Sequence, residues 1–293
     1  MYMQRPSPSS LLSIDWWREA IKGARKSAAR CWLAASLLAL SNIVVVVGTD
    51  YVYREIGGGA VSTDQLMQVG LVGIGSCIAG LVLTLWALGL WLVRLTAYAR
   101  ASCLSGAAPS PAEFDKAIAE AGRRGGYLAK FWLVASIYLV IPAIPLVILM
   151  TVRVLTGSPL SSWALFPAAL PVWLSVSIDA ALAVLAILTT GYSLVALTVS
   201  SVSTQKAGAA ATEALTLSAR NWRAVLLSSG FVLLLNLLVS VPATIGSAAS
   251  LSGTTRLPVW IDVIAQIWFG FATAVVWPLS VRPFCELLRG QIK

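Results

Sequence analysis

Histidine is absent from the 293 residues, and charged residues make up only 11% of the chain. A soluble domain carries about 25%. Without histidine there is no His-based acid–base catalysis, no Ser–His–Asp triad and no His metal site. Only 12 acidic residues are present, and no apolar segment holds a pair of carboxylates suited to general acid–base work. No Gly-rich loop precedes a lysine, which excludes a phosphate-cradling loop of that type. The polar segments are too short for a nucleotide-binding domain. Cysteine is limited to Cys31, Cys77, Cys103 and Cys285. None lies in an expected outer loop, and no two have metal-ligand spacing. These gaps leave no catalytic residue, no cofactor site and no metal site, so the expectation is a protein that is not an enzyme.

What fills the chain is apolar: 58% of residues are hydrophobic and the mean hydropathy is +0.83. Such a chain cannot cover itself with polar groups in water, so its solvent is largely lipid. A helix crossing the hydrocarbon takes about 20 apolar residues. Uncharged windows place six spans near 31–48, 68–93, 131–152, 176–200, 224–243 and 261–281. The stretch 154–178 holds Pro159, Pro167 and Pro171 and reads as an outer loop. An extra or re-entrant segment there would change the count. About 30 residues precede the first apolar run, which reads as a retained span rather than a cleaved signal. The expected fold class is all-α, a polytopic membrane protein forming one transmembrane domain over 1–293.

The spans fall into a threefold repeat. Trp32-Leu33-Ala34-Ala35-Ser36 recurs as Trp132-Leu133-Val134-Ala135-Ser136, and Leu92-Val93-Arg94-Leu95-Thr96 as Leu194-Val195-Ala196-Leu197-Thr198. Offsets of about 100 residues mean that whole units recur. The units run over about 11–100, 110–204 and 207–288, each a helical hairpin behind a basic amphipathic lead-in. The first lead-in, 11–30, has the pattern of a helix lying apolar side down among headgroups. The second opens with Ser110-Pro111-Ala112-Glu113, a capping box with proline at the first helical position, and breaks at Gly125-Gly126. The third spans 207–223. Tandem units of one topology predict a pseudo-threefold axis along the membrane normal, unlike the inverted repeats of many transporters.

Orientation follows from Lys and Arg. With both termini cytoplasmic, inner segments hold 18 of the 21 basic residues, and the outer loops only Arg54, Arg153 and Arg256. The net charge of +9 is therefore spread along the inner membrane face. It implies anionic lipid headgroups as partners rather than nucleic acid, at about 1 kcal/mol per charge near the surface. Another membrane protein is the alternative partner. Most of the 12 tryptophans fall near span ends, as an aromatic belt requires.

Five residues stand out as candidate lipid or ligand contacts. Arg94 and Arg282 lie near inner span ends, where snorkelling to headgroups is the bland alternative. Asn42 and Asn236 are polar within spans and line a cavity or make interhelical hydrogen bonds. Asp179 is the acidic residue deepest in an apolar segment, or an interfacial one. Gly70, Gly73, Gly75, Gly80 and Gly89 make the second span a small-residue helix suited to close approach.

The stretch Glu213-Ala214-Leu215-Thr216-Leu217-Ser218-Ala219-Arg220-Asn221-Trp222 has the form Glu-Ala-Leu-x-x-Ser-x-x-x-Trp just before a span. In this it resembles YciC-type six-span bacterial inner-membrane proteins and the related membrane domain found beside glycerophosphodiester phosphodiesterases. The resemblance implies a multi-pass protein of the bacterial inner membrane. The expected function is non-enzymatic, in envelope or lipid homeostasis or as the membrane subunit of a complex. The competing expectation is a small-solute transporter or channel, with its route at the interface of the three repeats. The two differ in one arrangement. A transporter gathers the Asn and Arg side chains around a common cavity, whereas a lipid-holding protein has a packed centre and lateral grooves.

Overall fold

A computed structural model of the chain describes residues 14–57, 62–105, 109–155, 172–251, 258–289 and 291. Nearly all of these are helical. The elements in chain order are α1 (Ile14–Gly57), α2 (Thr63–Ser105), α3 (Pro111–Arg123), α4 (Gly125–Leu155), α5 (Val172–Val202), α6 (Ala207–Arg220), α7 (Trp222–Leu251) and α8 (Val259–Leu288). Among the described residues, five stretches are long and apolar enough to cross a membrane: Trp17–Ile56, Thr63–Ser105, Ala183–Val202, Trp222–Pro242 and Val259–Leu288. A sixth is added if α3 and the start of α4, bent by 74° at Arg124, count as one broken span. The architecture is that of an all-α, helical membrane protein. The stretch 156–171, where the outer loop was expected, lies outside the described residues.

The short helices have clear local causes. Ser110 accepts from the Glu113 amide, the Glu113 carboxylate accepts from the Ser110 amide at 2.7 Å, and Pro111 sits in the first turn. This is the expected capping box. α3 then ends at Arg124, beside the two glycines that start α4. α6 ends at Asn221, whose amide nitrogen donates to the Leu217 carbonyl. The first lead-in behaves differently. No glycine or proline occurs between Gly23 and Gly48, so nothing interrupts the backbone and α1 runs unbroken for 44 residues. At 1.5 Å per residue that is about 66 Å, twice the hydrocarbon thickness of about 30 Å.

The chain divides into two compact units. The first comprises Met1–Arg18, Thr96–Leu234 and Ser280–Lys293. It contains α3 to α6, the start of α7 and the ends of α2 and α8. Its core is a buried cluster built on Phe131, Tyr192, Val195, Val199, Leu217 and Phe284, with the alanine stripe of α6 (Ala210, Ala211, Ala214) closing on it. Only four residues separate α5 from α6, so α6 turns back and lies along α5, as short connections require. Phe114 of α3 packs edge-on against Tyr98 at 6.0 Å. Phe114, Ala117 and Ala121 of α3 and Ala210, Ala211 and Ala214 of α6 are thus covered by protein, whereas Leu215 of α6 stays exposed.

The second unit comprises Glu19–Leu95 and Leu235–Leu279. Here α2 turns most of its large apolar side chains outward, among them Met67, Leu71, Ile74, Leu85 and Trp86. Contacts between helices use small residues. Gly80 faces Ser41 and Val45 on α1, and Gly270 faces Ala35 and Ala39. Trp91 and Trp277 meet at 4.7 Å. Gly70, Gly75 and Gly89 have nothing within 4 Å of where a side chain would begin. The glycine stripe of α2 is therefore only partly a contact surface, because its residues point to several sides of the helix.

Candidate functional site

Of the five sequence candidates, Arg94, Asn42 and Asn236 belong to the second unit and Arg282 to the first. Arg94, on α2, donates to the backbone carbonyl of Arg30 on α1, a neutral partner that ties the two helices together. Arg282 is 8% exposed and pairs with Glu286, one turn along α8, at 3.3 Å. Asn236 is half-buried on α7 and engaged within the fold. The side chain of Asp179 lies outside the described residues. Asn42 lines a crevice of about 490 Å³ in the second unit, together with Ser41, Thr84, Ser240 and Gln266. Ser41 donates to the Gly80 carbonyl at 2.8 Å and shares a 2.5 Å hydrogen bond with the Thr84 hydroxyl. Gln266 is 7% exposed at the same crevice. These polar groups come from helices whose exteriors are apolar.

The first unit contains two features that single residues in the sequence did not signal. The first is a charged knot at the end of α5. The final carbonyls of a helix lack intrahelical donors and carry the negative end of its dipole. Arg100 reaches the Ser201 carbonyl at 3.0 Å and the Glu120 carboxylate at 2.7 Å. Arg124 donates to the Ser201 and Ser203 carbonyls at 3.0 and 2.7 Å, with its guanidinium 4.6 Å from the Tyr127 ring centroid. Gln205 donates to Glu213 at 3.1 Å across the α5–α6 turn. The signal in the sequence was the arginine at the α3–α4 break and the Ser-rich end of α5. What it lacked was any indication that they meet.

The second feature is a groove of about 250 Å³ where α4, α5 and α6 meet the start of α7. Its walls include Tyr138, Leu185, Leu188, Tyr192, Leu215 and Trp222. Leu188, Leu215 and Trp222 are exposed, so the groove opens to the side of the unit. The Tyr138 and Tyr192 rings meet edge to face at 6.2 Å. The buried Tyr192 hydroxyl has no hydrogen-bond partner among the described residues, a state that costs about 1–3 kcal/mol. Outside the groove, Arg223 lies over the Trp222 ring at 5.3 Å, and Arg220 directly follows the lining residue Ala219. Both arginines are exposed.

Among the described residues no group of three or more His, Cys, Asp or Glu is placed to hold a metal ion. The four cysteines are unpaired; Cys285 is buried with its sulfur 3.5 Å from the Ala99 carbonyl. No protein-family model, curated protein or solved structure matches the chain.

Proposed function

We propose that this chain is a non-enzymatic, multi-pass protein of a bacterial inner membrane that holds anionic lipid, serving envelope or lipid homeostasis or acting as the membrane subunit of a complex. In this reading it has six spans in three hairpin units, with both termini cytoplasmic, as in the YciC-type proteins it resembles. The observation that carries the reading is where the candidate residues lie. Arg94 and Arg282 bond within the fold, whereas the open apolar groove of the first unit lies beside Arg220 and Arg223, exposed and without a carboxylate partner among the described residues. Lateral grooves beside exposed positive charge suit lipid chains and headgroups.

A second reading, small-solute transport, is favoured by one observation: the crevice holding Asn42, Ser41, Thr84 and Gln266. Polar groups within spans mark solute pathways in many membrane proteins.

Native mass spectrometry of the protein released from nanodiscs cut directly from the membrane tests the first reading. The expected result is a bound anionic phospholipid, with or without a partner chain. A protein bare of lipid and partner, together with solute uptake into proteoliposomes that is lost in Gln266→Leu, would transfer the assignment to transport.

A further inference from the structure

We infer that the groove at the α6–α7 elbow seats one acyl chain of an anionic phospholipid, with the lipid headgroup held by Arg220 and Arg223. This inference rests on the lipid reading above and gives that reading a site. Three observations converge on it. The groove, at about 250 Å³, is open to the side of the unit, where a chain can lie partly exposed, and its walls are mainly leucine and aromatic carbon.

Charge sits at one place on its edge. Arg223 lies over Trp222, which is itself a wall residue, and Arg220 leaves α6 next to the wall residue Ala219. Neither arginine is in an ion pair with a carboxylate among the described residues. Trp222 begins the apolar stretch Trp222–Pro242, so the arginines stand at the end of that stretch. Arginine presents a planar fork to phosphate, and tryptophan is the side chain that favours the headgroup level. A phospholipid has the matching order: anion, then polar ester region, then chain.

The third observation is the Tyr192 hydroxyl, buried in the wall without a partner. The ester region of a seated lipid brings carbonyl acceptors to an otherwise apolar wall. Tyr138 guards the same wall with only a long contact, 3.4 Å, between its hydroxyl and Thr212.

The test uses the full-length protein exchanged into mixed phosphatidylglycerol–phosphatidylethanolamine bilayers and released for native mass spectrometry. The wild type should retain one phosphatidylglycerol in preference to phosphatidylethanolamine. Arg220→Gln with Arg223→Gln should lower that preference by about thirty-fold, roughly fivefold per charge. Because both side chains are exposed, this variant should keep the wild-type melting profile. Ala219→Trp, which fills the groove from its exposed edge, should remove the retained lipid whatever its headgroup. Wild-type protein that keeps lipid, with both variants binding it equally well, would overturn the groove assignment and leave the lipid reading standing. Wild-type protein that keeps no lipid would overturn both, and so would a polypeptide retained in the lipid's place.

Discussion

The two units are held by different forces. The first closes a cluster of aromatic and branched side chains and ties a helix end with guanidinium groups. The second turns leucine, isoleucine and tryptophan outward and joins its helices through glycine, alanine and hydroxyl groups. Lipid is as apolar as leucine, so burying leucine between helices in a bilayer gains little, and close packing and interhelical hydrogen bonds take over. The lesson is that one chain presents two sets of sensitivities. Core volume and charge decide the first unit, and backbone approach decides the second.

The largest expected effect tests the second unit. A side chain added at Gly270 begins 2.6 Å from Ala39 Cβ and 2.9 Å from the Ala35 carbonyl oxygen. Neither atom can rotate away, so α1 and α8 must part. Gly270→Ala should cost about 2–3 kcal/mol, read as a lower midpoint in denaturant titration of the detergent-solubilised protein. Gly89→Ala meets nothing within 4 Å and should be neutral or gain up to about 1 kcal/mol from helix propensity. Equal effects from the two would end the claim that close approach holds this unit.

Next comes the charged knot of the first unit. Arg124→Ala strips the Ser203 carbonyl of its side-chain donor and leaves Arg100 alone on that of Ser201, and should cost about 1–2 kcal/mol. Arg124→Lys should recover only part, because one ammonium cannot reproduce a fork that spans two carbonyls. Full rescue by lysine in the same titration would reduce the knot to simple charge. A smaller effect is expected at Ser41, which bonds the Gly80 carbonyl and Thr84 inside the second unit. Membrane hydrogen bonds average about 0.6 kcal/mol, and Ser41→Ala should fall near that value. A loss above that of Arg124→Ala would invert the comparison between the units.

Much of this architecture was legible. The apolar windows coincide with five stretches long and apolar enough to span, because that test is one of length and composition, while the window 131–152 falls in the bent α3–α4 pair. The capping box at Ser110 and Glu113 is a local pattern, and it forms as written. What was not legible is tertiary. Arg100 and the Ser201 carbonyl are 101 residues apart, and Arg124 and Ser203 are 79 apart. A backbone carbonyl leaves no mark in the sequence, so neither arginine could be paired in advance. The α6 stripe was visible, but a stripe does not say whether lipid or protein will cover it. The groove exists only because α6 folds back along α5. Arg94 and Arg282 drew attention for being charged near span ends, and the same property let them bond a backbone carbonyl and a carboxylate on nearby residues.

The smallest effect concerns acid, and it sharpens the contrast from the side of the first unit. The Glu113 carboxyl lies below its ordinary value of 4.5, first because of its bond with the Ser110 side chain and then because of the Ser110 backbone N–H. A carboxylate with a depressed folded-state pKa contributes stability that is fully present above its unfolded value. That contribution is lost as pH falls through the folded one. The cap of α3 should therefore be intact at neutral pH and released only below the ordinary glutamate range. Amide hydrogen exchange at Phe114 and Ala117 reads this directly when wild type and Ser110→Ala are compared at pH 7 and at pH 3. The variant should exchange faster than wild type at pH 7, and the gap should narrow at pH 3. Glu113→Gln should behave at both pH values as wild type does at low pH. A gap of unchanged size would mean that the hydroxyl holds the Glu113 amide on its own, and that the carboxylate adds nothing to the start of α3.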